Sequence, residues 1–122
     1  MDELIRAAKT LSDPARVRVL NLLMQRECCV CEVMEVLNIS QVNASRYCSA
    51  LKDAGFLKMR REGRWKHYRV DYETCSPSLR DMLESVKETA SSDKLLADDI
   101  RILGSKSRRA TGCLAPSCVA AG

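Results

Sequence analysis

Residues 30–55, VCEVMEVLNISQVNASRYCSALKDAG, decide the fold, because they read as two short helices joined through a tight turn. The first is predicted from Val30 to Leu37, with Val33, Val36 and Leu37 recurring at helical spacing on its inward face. Asn38 follows where a left-handed residue ends a helix, a conformation asparagine tolerates. Ser40 is a good N-cap for the second helix, predicted to run to about Ala54 before Gly55 stops it. On that helix Cys48 and Leu51 fall on the inward side, and Cys48 reads as a core thiol. Ser40, Gln41, Asn43, Ser45 and Arg46 lead the outward side. Such side chains suit a solvated surface, but they can equally donate to and accept from base edges in a major groove wide enough for a helix.

Upstream, Leu4, Ile5, Ala8 and Leu11 predict a helix over residues 3–11. Asp13-Pro14 reads as an N-cap with proline at the first helical position, opening a helix whose apolar face is Val17, Leu20, Leu23 and Met24. Downstream, Phe56, Leu57 and Met59 lead into the turn Arg61-Glu62-Gly63-Arg64, and Trp65 to Val70 return as the second arm of a hairpin. Between Lys58 and Arg69 six Lys/Arg face one acid, a net +5 in a chain whose total is +4. Lysine and arginine also protect strand edges. Beside a helix-turn-helix, however, Arg60, Arg61, Arg64 and Lys66 read as a phosphate footprint on a basic wing. The expected fold is therefore mainly α with a β-hairpin wing, a winged helix-turn-helix.

The remaining chain fits one domain. A helical stretch is predicted from Leu79 to Leu103, with Ala90-Ser91-Ser92 bending or breaking it. Residues 1–103 form the expected DNA-binding and dimerisation unit, and residues 104–122, rich in Gly, Ser, Arg and Ala, read as a flexible tail. The 122 residues are 46% apolar but only 4% aromatic, so the core must be aliphatic, which suits helices. No apolar run approaches the roughly 18 residues of a membrane span. Met1-Asp2-Glu3 lacks the basic start of a signal peptide, so a cytoplasmic protein with no membrane contact is expected. Seven cysteines in such a setting read as metal ligands or redox groups rather than structural staples, and a single histidine leaves sulfur as the main donor.

Taken together, Leu11-Ser12-Asp13-Pro14-Ala15-Arg16, Cys29-Val30-Cys31-Glu32, Ile39-Ser40-Gln41 with Ser45-Arg46, and Arg61-Glu62-Gly63-Arg64-Trp65 through Tyr68-Arg69 resemble the arsenic-resistance repressor (ArsR/SmtB) family of winged-helix metalloregulators. The resemblance spans residues 3–103. It implies a homodimer on double-stranded operator DNA that represses a metalloid-resistance operon and lets go when an ion binds, with As(III) or Sb(III) as inducer and no organic cofactor. The sequence departs from the family pattern at Met34, where many arsenic-responsive members carry a third cysteine. The expected ligands are Cys29 and Cys31, with Cys28 as the third, placed in a loop entering the helix. Cys113 and Cys118 are the alternative ligands, since closing a long loop costs little more than closing a short one.

Trivalent arsenic and antimony are soft ions suited to thiolates, as are lead and cadmium. A helix N-terminus favours the thiolate form. If Cys29 and Cys31 both lie on regular helix they point about 200° apart, so binding is expected to unwind the first turn and shift the base-reading helix packed against it. Thiol oxidation is the other signal open to the same fold, through Cys28-x-x-Cys31. A cysteine enzyme such as an arsenate reductase is not expected, because no cysteine is followed by arginine at the phosphate-cradling spacing. Leu4, Ile5 and Ala8, with the stripe of the last helical stretch, are the expected dimer surface. Two-fold symmetry would set the recognition helices about 34 Å apart.

Overall fold

The structure is a computed structural model, and residues 1–106 are described. In chain order the elements are α1 (Asp2–Thr10), α2 (Pro14–Gln25), β1 (Cys28–Cys29), α3 (Val30–Leu37), α4 (Gln41–Asp53), β2 (Leu57–Glu62), β3 (Trp65–Val70), α5 (Pro77–Ala90) and α6 (Lys94–Gly104). The helix starts follow the capping chemistry of the sequence. The Asp13 carboxylate accepts from the Ala15 amide at 2.8 Å with Pro14 at the first helical position, and Ser40 Oγ accepts from the Asn43 amide at 3.1 Å. Asn38 takes the left-handed conformation at φ 54° and closes α3.

Helix α2 is the central element. Val19, Leu20, Asn21, Leu22 and Leu23 are all buried, so the helix is covered on nearly every side rather than on the single face its periodicity implied. Helix α4 packs on it through Ala44, Cys48 and Leu51. Phe56 is fully buried beneath them, and each such large side chain contributes about 1.5–3 kcal/mol relative to exposure. Gly55 turns the chain at φ +97°, where a Cβ would also meet Leu79 Cδ1 at 3.0 Å.

The predicted helix over residues 79–103 is in fact two helices, broken where Ala90-Ser91-Ser92 allowed. Asp93 starts the second by accepting from the Leu96 amide at 3.1 Å. Helix α6 then folds back onto α2. Arg18 grips the buried Asp99 with both donors, at 2.9 and 3.0 Å, and Asn21 Nδ2 donates to the Leu96 carbonyl at 3.2 Å. This return also absorbs much of the stripe assigned to dimerisation, since Leu79, Leu83, Val86, Leu96 and Leu103 are buried within the protomer.

The sheet is antiparallel in the order β1-β3-β2. The β2–β3 register pairs Glu62 with Trp65, leaving Gly63 and Arg64 as the turn. Gly63 alone of these two has positive φ, +65°, as the primed turn with glycine at its first central position requires. Strand β1 was not foreseen. It pairs Cys28 with Tyr68 and Cys29 with His67, so the expected loop before α3 is a strand edge tied to the wing.

Candidate nucleic-acid interface and thiol pair

Helix α4 presents Gln41, Asn43 and Arg46 to solvent, with Ser45 half-buried beside them. Ser40 is exposed but its hydroxyl serves as the helix cap. Val42, 58% exposed in the first turn, is the residue the sequence reading passed over. Its signal was an apolar side chain out of phase with Ala44, Cys48 and Leu51, and such a group can meet a thymine methyl.

The wing carries its charge unevenly. Arg61 lies directly across from Lys66, and Lys58 across from Arg69. Like charges placed opposite one another destabilise a hairpin, so this register favours an anion between or above them. Arg64 sits at the tip with its guanidinium carbon 5.9 Å from the centre of the Trp65 ring. Arg60 is differently placed. Its guanidinium is held by Glu27 at 2.7 to 3.0 Å and by Glu62 at 3.3 Å, so its charge is already matched within the chain.

The cysteines divide by strand alternation. Cys28 points into the main core with Tyr68, Cys48 and Leu23, while Cys29 turns to the other side and forms a separate small cluster with Cys31 and Trp65. The sulfurs of Cys29 and Cys31 are joined as a disulfide, with Cα atoms 5.4 Å apart. Convergence needs no unwinding of α3, contrary to the helical argument. Cys29 is the N-cap residue with extended backbone (φ −82°, ψ 163°), and only Cys31 lies on the helix. The structure brings Cys29 and Cys31 together and does not bring Cys28 to them. Cys113 and Cys118 lie outside the described residues. Among the described residues, no group of three His, Cys, Asp or Glu side chains is arranged to hold a metal.

The approach to the pair is fixed by charged neighbours. The buried Glu32 accepts from the Cys29 amide at 3.1 Å and pairs with Arg26 at 2.8 Å. Arg26 also donates to the Glu27 carbonyl at 3.1 Å and lies 3.7 Å from the Cys28 sulfur. Cys48 is distinct. Burial, with Cys28 nearby as a smaller influence, pushes its thiol up to about 12. Burial likewise raises Cys75, whose sulfur donates to the Gly55 carbonyl.

A cleft of about 240 Å³ joins these two regions, lined by Cys29, Val30 and Cys31 together with Gln41 and Ser45 of α4 and Arg64 and Lys66 of the wing. The thiol pair therefore opens into the same space as side chains from the recognition helix and the wing.

A tri-helical core, an outward polar helix after a tight turn and a basic hairpin define a winged-helix DNA-binding protein. The model of the bacterial regulatory protein arsR family matches residues 13–58. The chain is 35% identical over 91 residues to the arsenic resistance transcriptional regulator ArsR1 of Pseudomonas putida, covering 71% of each. It is 33% identical to the cadmium resistance transcriptional regulatory protein CadC homolog of Staphylococcus aureus, over 68% of this chain and 69% of that one. The homodimeric winged helix-turn-helix domain of Mb0332 from Mycobacterium bovis superimposes with a TM-score of 0.62 at 28% identity, over 76% of this chain and 82% of that one. The chain belongs to the arsR family. It is a transcriptional regulator and not an enzyme. Among the described residues, no helix is long and apolar enough to cross a membrane.

Proposed function

We propose that this protein is a cytoplasmic, homodimeric repressor of a metalloid-resistance operon, released from its operator when As(III) or Sb(III) binds Cys29 and Cys31. The observation that carries the reading is the shared cleft, in which Cys29 and Cys31 face Gln41, Ser45, Arg64 and Lys66 across about 240 Å³. An ion seated on the two sulfurs changes the space between recognition helix and wing, so a small local displacement reaches both DNA-contacting elements of the protomer. A coupling of about 1–3 kcal/mol suffices to change operator affinity about 5–150-fold. The relatives named for arsenic resistance support the ion class, the CadC homolog keeps cadmium as a competing inducer, and lead competes on thiolate chemistry alone. With Cys28 turned into the core, Cys113 or Cys118 is the proposed third ligand for an ion that takes three sulfurs.

In this reading Gln41, Asn43, Ser45 and Arg46 read bases, with Ser40 fixing the start of their helix, and Arg61, Arg64 and Lys66 hold phosphates. Arg60 joins them only by exchanging Glu27 for a phosphate. The dimer forms through Leu4, Ile5 and Ala8 of α1 and Met82 of α5, beside an apolar groove that also takes in Leu11 and Val17. A second reading is favoured by the Cys29–Cys31 bond itself, which makes thiol oxidation a competing release signal on the same pair.

Gel-shift titration on one operator fragment with arsenite, cadmium, zinc and peroxide separates these readings. Release by arsenite at the lowest concentration supports the proposal, whereas release by peroxide alone replaces it with the oxidation switch. Sedimentation showing a monomer at micromolar concentration removes the dimer from it.

A further inference from the structure

Arg18 grips Asp99, Arg26 pairs with Glu32 and Arg60 is held by Glu27, so these charges are matched within the chain. Arg6, Lys9 and Arg16 are not. All three line one hollow of about 410 Å³, and among the described residues none of them forms an ion pair, not even with Asp2 in the same lining. The Nε of Arg16 is enclosed without a hydrogen-bond partner, and its Nη1 lies 3.5 Å from the Thr10 carbonyl. Arg6 Nη1 is equally far from the Asp53 carbonyl. An enclosed donor without an acceptor is costly, and like charges around one space repel. An anion in the hollow relieves both.

The hollow also borders the recognition helix, through Ala50. Ala50 comes seven residues, or two turns, after Asn43 and so shares its face of α4. Gln41 and Ser45, four residues apart, lie on roughly the opposite flank, where Arg64 and Lys66 of the wing join them. The exposed Arg46 falls between the two flanks. Cations therefore stand on both sides of the outward face of α4. Ile5 of the proposed dimer surface lines the hollow as well, which puts it on the side of α4 nearer the two-fold axis.

Resting on the DNA-binding reading above, we propose that Arg6, Lys9 and Arg16 form a second phosphate-holding wall, which grips the operator backbone on the axis side of α4 while Arg64 and Lys66 grip it on the wing side. Arg16 suits this role because a guanidinium can present two parallel donors to one phosphate, and its Nε is unused within the chain. Such contacts carry no sequence information but fix how the base-reading side chains lie in the groove. Two copies of the wall, one from each protomer, meet the phosphates between the half-sites.

The test follows binding of the full-length, phosphine-reduced chain to one operator fragment by fluorescence anisotropy over a salt series. Arg16→Gln should lower the salt slope by about one, and Arg6→Gln/Lys9→Gln by about two, with discrimination against a mismatched fragment unchanged. Arg16→Lys, which keeps the charge, should keep most of the slope. Methylphosphonates placed between the half-sites, located by footprinting, should weaken the unaltered chain and have little further effect on the chain carrying all three glutamines. An unchanged slope in both glutamine variants, or equal sensitivity of variant and unaltered chain to the methylphosphonates, overturns the proposal. A glutamine variant that sediments as a monomer at micromolar concentration assigns the hollow to the dimer contact and also overturns it. These outcomes leave the wider DNA-binding reading standing; an unaltered chain with no salt-dependent binding to the operator fragment brings down both.

Discussion

Cys28 and Cys29 are neighbours in sequence, equally buried, and chemically opposite. Cys28 faces the core with Cys48 and Tyr68; Cys29 clusters with Cys31 and Trp65 and lines a cleft with Cys31, α4 and the wing cations Arg64 and Lys66. The difference comes from one short strand, whose alternation sends successive side chains to opposite faces. Burial alone therefore does not sort the cysteines of this protein. What sorts them is the cluster each joins: the main apolar core, or a cleft beside a helix N-terminus, shared with α4 and the wing, where the sulfurs of Cys29 and Cys31 are joined.

The most direct way to break this division is to remove sulfurs from each side. Cys29→Ser or Cys31→Ser should raise the arsenite concentration needed for operator release by about 100-fold or abolish release, since loss of even an outer partner of a metal ligand costs about 10–100-fold. Both sulfurs are buried and bonded, so each variant also loses some thermal stability, and release is the readout that separates the two sides. Cys48→Ser should do the reverse, leaving release intact while a buried hydroxyl costs about 1–3 kcal/mol in stability. Arsenite dose-response by gel shift and thermal denaturation of the same proteins decide it. A Cys48 variant that lost its response would merge the two sides into one site.

The two walls of the cleft can be separated next. Gln41→Ala or Arg46→Ala should relax discrimination between operator and mismatched sites by about 1–3 kcal/mol for each bidentate base contact. Arg61→Ala and Lys66→Ala, which face one another across the hairpin, should each weaken all DNA alike and lower the salt slope by about one. Removing either should also stabilise the free protein by about 0.2–1 kcal/mol, by relieving like-charge opposition. Binding curves over a salt series, on matched and mismatched fragments, distinguish these outcomes. Wing variants that changed sequence preference with an unchanged salt slope would exchange the roles of wing and helix. Arg60→Ala should change DNA binding less than Arg61→Ala, because Glu27 and Glu62 already neutralise it.

The same contrast explains what the sequence made legible. Helices α1 to α4 and the hairpin were readable because Asp13-Pro14, Asn38, Ser40 and Gly55 mark their ends chemically, and those marks act locally. Strand β1 was not, because two residues are too few to display a period of two, and its partner strand lies nearly forty positions downstream. That omission propagated. With Cys29 read as helical, its convergence with Cys31 looked strained and Cys28 looked free to join them; with Cys29 as an extended cap, the pair closes easily and Cys28 is turned away. The shared cleft was out of reach for the same reason, since it depends on where the hairpin lies over α3. The dimer stripe was overdrawn because periodicity shows an apolar face without showing that α6 folds back to help cover it.

The smallest expected effect tests the core side of the comparison alone. The Cys48 thiol is held up to about 12 by burial, against about 8.5 for an unfolded thiol. Below pH 8.5 both states keep the proton and the group adds no pH dependence. Above it the unfolded chain ionises while the folded one does not, so stability present below the unfolded value is lost as pH climbs towards the folded one. The slope is about 1.4 kcal/mol per pH unit, or about 1 kcal/mol between pH 8.5 and 9.5. Tyr68 and Cys75 are also raised by burial and titrate in the same direction, so the Cys48 share must be read as a difference. Denaturant unfolding of the unaltered chain and of Cys48→Ala at pH 7.5, 8.5 and 9.5 supplies it. The alanine variant should start less stable and lose less on the alkaline side. Parallel losses would mean that Cys48 ionises in the folded state as readily as in the unfolded one. The sharp contrast between a neutral core thiol and a reactive cleft pair would then be gone.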